Sequence, residues 1–249
     1  MQTTNIYEEL QKRAEEGKII RLGMIGFGRF PSTFIVQLDR IPGMQLVGVA
    51  EINPARAMKT CELVEWPKER YSAKSFEEAA KNGSTCIVDN ADLLFQSDFI
   101  DIIVDATGNP YAGVHHGKMA CKYHKDLIMV NIECMAAVGP ILNRMAEEAG
   151  IIISYAYGDQ PAKLCAMIDW ARTCGFGIEA AGEWRPYTIG DKQLPPTDEV
   201  FRRFGYDVEE AHRFGMNAKG YCSFLDNTKG AIEMCVVANA TNLSAPEGG

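Results

Sequence analysis

Three kinds of residue in this chain have the types and spacing to do chemistry. They are glycines that let a backbone approach a phosphate, carboxylates, and basic side chains close to them. The glycines lie in "RLGMIGFGRFPSTFIVQL", residues 21–38, where a strand-like run enters Gly26-Phe27-Gly28 and leaves as a helix. In a dinucleotide-binding turn the first glycine permits the tight bend and the second lets the backbone approach the pyrophosphate. The helix N-terminus then faces the phosphates. Gly26 and Gly28 meet the first two needs, and the third position of the G-x-G-x-x-G pattern is Pro31. A proline in the first helical turn forfeits no intrahelical bond and sets φ to the helical value. The loop expected to wrap a dinucleotide is therefore Gly26, Phe27, Gly28, Arg29 and Phe30. The competing reading is a plain strand-to-helix turn that happens to contain glycines.

The next strand, "MQLVGVAE", ends in an acid, Glu51, 23 residues after Gly28. An acid there bonds the adenosine ribose hydroxyls and repels a 2′-phosphate, which favours NAD(H) over NADP(H). Arg56, five residues on, could meet such a phosphate instead. A second turn, "DATGNP" at 105–110, ends another apolar strand. Small residues there (Ala106, Thr107, Gly108) would let a cofactor pass without obstruction. Asn131, at the end of the following strand, completes the expected cofactor set.

Hydride transfer to a carbonyl needs a proton donor beside the oxygen. Lys163 is the first candidate, four residues after Asp159 and on the same helix face. Asp159 and Glu133 complete the catalytic candidates, while Glu183 and Arg185, at the end of a later strand, could hold substrate. Arg185 could fork onto a carboxylate or phosphate. If a divalent metal is used, Asp159, Glu133 and Glu233 are the available hard oxygen ligands. Structural roles compete with each of these. Asp159 reads equally as a helix N-cap and Lys163 as a solvated ion-pair partner. Glu233 sits in the apolar run "AIEMCVV", where an unpaired carboxylate would be costly. His115, His116 and His124 read as exposed residues of one surface helix.

These residues need elements to position them. After an amphipathic helix over 5–17, apolar unalternated strands are expected at 19–26, 44–51, 86–90, 99–108, 126–133 and 151–158. Helical patterns alternate with them, as in a parallel sheet covered on both faces. Beyond about residue 158 the pattern changes to a helix from Asp159, a strand "FGIEAAGEW", a Pro-rich loop, a helical piece, a strand "GYCSFLD", a turn and an apolar segment of open type. The expected fold class is α/β: a Rossmann-like doubly wound parallel sheet over 1–157, then a partial α+β substrate domain over 158–249.

The totals narrow the function classes. With 47% hydrophobic and 23% charged residues, the 249-residue chain can bury a sizeable core. A net charge of −8 argues against a nucleic-acid binder or an anionic-membrane binder. No apolar run is long enough to span a bilayer. The eight cysteines show no C-x-x-C pair and read as buried, reduced residues of a cytoplasmic protein. The expected partners are a small-molecule substrate and further copies of the chain.

A resemblance extends this reading. "GVAEINPARA" and "VDATGNPYAGVHHGKMACKYHKDLIMVN" resemble two-domain Rossmann oxidoreductases. "EGKIIRLGMIGFG", "NIECMAAVGP", "YGDQPAKLCAMIDW" and "AIEMCVVANAT" resemble, over nearly the whole chain, the homoserine dehydrogenase-like or reductoisomerase-like family, whose members include SAF-domain proteins. That resemblance implies a dehydrogenase or reductase acting on a small oxo or hydroxy compound that bears a carboxylate or phosphate. It also implies that the chain is the N-terminal portion of a longer protein. One member type converts deoxyxylulose phosphate with NADPH and a divalent metal. It carries Gly-Asp-Glu-Pro where this chain has Gly158-Asp159-Gln160-Pro161. Homoserine dehydrogenases carry a lysine where this chain has Ile132. These two departures leave open a nucleotide-binding regulatory protein without catalysis.

Overall fold

The computed structural model describes residues 5–183, 188, 190–213 and 215–245. Two compact units emerge, one from residues 1–131 with 142–154, the other from 132–141 with 155–249.

The first unit is built by alternation. Helix α1 (Ile6–Glu15) is capped by Asn5, whose side chain accepts from the Tyr7 amide. Then come β1 (Ile20–Ile25), α2 (Arg29–Leu38), β2 (Met44–Ala50), α3 (Pro54–Leu63), α4 (Phe76–Asn82), β3 (Cys86–Val88) and α5 (Asp92–Phe95). They are followed by β4 (Ile102–Asp105), α6 (Pro110–Tyr123), β5 (Asp126–Met129), α7 (Ile132–Ala149) and β6 (Ile153–Tyr155). The strands form one six-stranded sheet of order β3-β2-β1-β4-β5-β6. β1 pairs in parallel with β2 and β4, β2 with β3, and β4 with β5. This is the doubly wound order, whose direction reverses between β1 and β4. The continuous apolar runs of β1 and β2 are buried on both faces: Leu22, Met24, Leu46 and Val49 join Phe27, Ile35, Leu38 and Val104 in one core.

The β1–β4 pair is fastened at its start by Asp101. That carboxylate accepts from the Arg21 amide at 2.8 Å and from the Arg21 guanidinium at 3.0 and 2.5 Å.

The second unit is helical among its described residues, apart from Tyr155 at the end of β6 and an isolated bridge between Tyr157 and Asp159. It contains α8 (Gln160–Thr173), α9 (Glu199–Arg203), α10 (Val208–Arg213), α11 (Ala218–Leu225) and α12 (Thr228–Thr241), besides the start of α7. Two strand expectations fail here. Residues 176–183 of "FGIEAAGEW" form no strand, and "GYCSFLD" lies in α11. Asn217 caps α11, taking the Lys219 and Gly220 amides, and this commits the segment to helix. The apolar segment of open type is α12, which packs on α8 and α11.

All eight cysteines are free thiols, but only Cys61, Cys86 and Cys134 are buried, and Cys174 and Cys235 are exposed. Among the described residues no helix is long and apolar enough to cross a membrane.

Candidate functional site

A cavity of about 420 Å³ opens at the C-terminal ends of β1, β2 and β4, at the reversal of strand order. Its walls include Gly26, Gly28, Glu51, Ile52, Arg56, Ala106, Thr107, Asn109 and His116. This is where open α/β sheets bind ligands.

The glycine loop forms one wall. Gly26 has φ +80°, and a Cβ there would stand 3.0 Å from the Ala106 carbonyl oxygen and 3.2 Å from the Thr107 Cα. Backbone conformation and space both require glycine. Gly28 is the N-cap of α2 and supplies no capping side chain, so the first amides of that helix lack a side-chain acceptor from it. A Cβ at Gly28 would meet nothing nearer than Arg56 Nη2, at 3.5 Å. Phe27, expected to touch cofactor, has its ring fully buried in the core and its amide bonded to Glu51. Phe30 is exposed and stacks on Phe34. Arg29 opens α2.

Glu51 is buried at the crevice wall. Its Oε2 accepts from the Phe27 amide at 2.9 Å, so the acid of β2 fixes the glycine loop. Among the described residues its Oε1 has only long contacts, 3.4 Å to the Asn53 amide and 4.0 Å to Arg56 Nη1. That oxygen can still take a hydroxyl. The exposed Arg56 stands beside it.

The opposite wall rests on a buried polar network. Asp105, fully buried at the end of β4, takes the Thr107 amide (2.9 Å) and hydroxyl (2.7 Å) on Oδ1 and His116 Nδ1 (2.8 Å) on Oδ2. Burial pushes this carboxyl's pKa up. The His116 and Thr107 bonds outweigh it and hold the pKa below the usual aspartate value. Asn131, also fully buried, donates to the Asn109 carbonyl at 2.8 Å and to Thr107 Oγ1 at 3.1 Å. The structure thus uses Asn131 to hold the Thr107–Asn109 turn. Gly108 adopts φ +62° in that turn with open space around it.

His116 corrects an expectation. It is 5% exposed, stacks on Phe95 with ring centroids 6.1 Å apart, and lines the crevice. His115 and His124 are exposed, as expected. The helix phase explains it: Gly113, His116, Gly117 and Ala120 fall on one stripe of α6, and all four are buried. That signal was present in the sequence.

The second unit gathers a different set. Glu133 stands in the first turn of α7, not at a strand end, because β5 stops at Met129. It pairs with Lys229 of α12 at 2.9 Å, both side chains mostly buried. Sequence reasoning missed Lys229. Glu233 follows it by one helical turn and is 2% exposed. Glu183 lines a cavity of about 390 Å³ with Asn227, Gly230, Met234 and Cys235. Asn227 lies so close over Gly230 that a Cβ there would stand 2.4 Å from its Oδ1. Asp159 occupies the N-cap position of α8 without a side-chain capping bond, and Lys163 is exposed. Arg185 lies outside the described residues. Among the described residues no three His, Cys, Asp or Glu side chains are grouped as a metal site requires. Asp159, Glu133 and Glu233 are therefore not brought together as a ligand set.

Residues 158–249 match the family described as oxidoreductase DRL, catalytic domain. No curated protein matches the chain. Among solved structures, a homoserine dehydrogenase from Thiobacillus denitrificans is similar at 16% identity and TM-score 0.49, over 79% of this chain and 42% of that one. An oxidoreductase from Agrobacterium radiobacter, in complex with NAD+, L-tartaric acid and magnesium, is similar at 16% identity and TM-score 0.42, over 63% of this chain and 40% of that one. A homoserine dehydrogenase from S. aureus is similar at 17% identity and TM-score 0.39, over 55% and 32%. The chain spans less than half the length of each of these structures.

Proposed function

We propose that the chain is an NAD(P)-dependent oxidoreductase that moves a hydride to or from a small oxo or hydroxy compound. The observation that carries this is the crevice at the β1–β4 reversal, where Gly26, Gly28 and Glu51 meet the Ala106–Asn109 turn. The fit to a dinucleotide is physical. A Cβ at Gly28 would touch only Arg56 Nη2, at 3.5 Å, and Glu51 Oε1 has no bond shorter than 3.4 Å among the described residues. When bound, the nicotinamide supplies the hydride. The match of residues 158–249 to an oxidoreductase catalytic domain supports the same reading from the other unit.

Glu51 favours NAD(H), since its carboxylate stands against a 2′-phosphate. Arg56, exposed on the crevice wall, provides the opposing influence.

For the proton we favour Lys229 over Lys163. An ammonium held by Glu133 in a mostly buried pair is oriented, whereas Lys163 is exposed to solvent. An oriented lysine can deliver a proton to a developing alkoxide and take it back in the reverse direction. A substrate bearing a carboxylate or phosphate fits a site with such a cation, and homoserine dehydrogenase-like and reductoisomerase-like reactions both use substrates of that class.

Turnover tests the proposal. NADH oxidation is followed at 340 nm against a panel of small oxo acids and phosphorylated ketoses. Lys229→Ala is expected to lower the rate about 100-fold or more, the size of a lost general acid. Lys163→Ala is expected to leave the rate within a small factor. Loss of turnover in Lys163→Ala with retention in Lys229→Ala would reverse the assignment. NADH binding without turnover on any of the panel would favour a nucleotide-binding regulatory role.

A further inference from the structure

The acid–base chemistry proposed above leaves a buried His–Asp pair unused at the cofactor crevice. Asp105 has two oxygens with different duties. Oδ1 takes both polar atoms of Thr107 and so shapes the turn that forms one wall. Among the described residues, Oδ2 takes His116 Nδ1 at 2.8 Å and otherwise only a long contact, 3.4 Å, from Asn131 Nδ2. Remove His116, and a fully buried carboxylate oxygen keeps almost no donor. A buried carboxylate so deprived rotates, draws in water or takes up a proton. Each of these outcomes disturbs Oδ1, and with it Thr107.

The turn in question touches the glycine loop directly. The Ala106 carbonyl and the Thr107 Cα are the atoms that a side chain at position 26 would strike. His116 itself lines the crevice, and its Nε2 has no hydrogen-bond partner among the described residues. Mere filling of space does not explain the residue. An apolar side chain would stack on Phe95 as well, without committing a polar ring to the interior.

We propose that His116 is a positioning residue for the dinucleotide. Through Asp105 it holds the Ala106–Asn109 turn in the shape against which the glycine loop packs. The proposal rests on the dinucleotide reading of the crevice.

The test is NADH and NADPH titration of the purified wild-type chain and of His116→Ala, His116→Asn and His116→Gln, with thermal unfolding measured in parallel. Asparagine places an amide donor at the δ position, where Nδ1 stands, and glutamine places one a bond further out. His116→Ala and His116→Gln are expected to bind about tenfold more weakly, the size of one lost buried hydrogen bond. His116→Asn is expected to recover most of that loss. A purely structural histidine would lower the unfolding temperature and leave affinity unchanged in the folded fraction. Binding by His116→Ala within about twofold of wild type overturns the proposal, and so does His116→Asn as weak as His116→Gln. If His116→Ala does not fold, the asparagine–glutamine pair decides alone. Wild type that binds neither cofactor brings down the dinucleotide reading itself, an outcome distinct from wild type that binds and a variant that binds equally well.

Discussion

At the residue scale, the glycine loop was readable because each requirement falls on one position. Gly26 needs both a left-handed backbone and the absence of a Cβ. Gly26→Ala is expected to cost about 1 kcal/mol or more of stability, since both strain and a clash with Ala106 are introduced. Chemical denaturation of the two proteins measures it. Glu51 was readable as an acid at the end of β2, but not its grip on the Phe27 amide, which depends on how the loop folds back. Glu51→Gln keeps an acceptor for that amide and removes the charge. It is therefore expected to improve NADPH binding relative to NADH by about tenfold, the size of a removed like-charge contact. Equal discrimination in wild type and variant would show that Glu51 does not choose the cofactor. Lys229 was not legible, because its partner Glu133 lies 96 residues away in the sequence and the type of the segment that carries Lys229 was open.

At the element scale, an aspartate stands at each end of β4. Asp101 holds the start through Arg21, and Asp105 holds the turn that follows β4. Burial raises the pKa of each carboxyl, and the bonds it accepts more than offset this, leaving both below the usual aspartate value. For a carboxyl lowered by folding, the stabilisation is complete above the unfolded value, which lies near ~4. It is lost as pH falls through the lower folded value. Unfolding free energy is therefore expected to drop between about pH 5 and pH 2, and Asp105→Asn should flatten that dependence while destabilising the protein at neutral pH. Urea denaturation across that range tests the sign; a variant with the wild-type slope would remove Asp105 from the account. The parallel strands were legible because burial on both faces leaves long apolar runs. The two segments expected as strands after residue 173 were not, although the helical piece between them is there as α9 and α10. "GYCSFLD" carries two aromatic residues, a type favoured in strands, but Tyr221 and Phe224 stand three apart, and the Asn217 cap and packing against α12 make it a helix. His116 sits between these cases, since the inward stripe of α6 was written in the sequence while its bond to Asp105 was not.

At the scale of the whole molecule, the two units carry different halves of the proposed chemistry. The first holds the crevice at the reversal of strand order, and the second holds the Glu133–Lys229 pair within the region that matches an oxidoreductase catalytic domain. The central claim is that the crevice takes a nicotinamide dinucleotide. Side-by-side calorimetric titration of NADH and NADPH into the purified chain tests it most directly. The account predicts saturable one-to-one binding of NADH, with NADPH weaker. Binding of neither cofactor would contradict it.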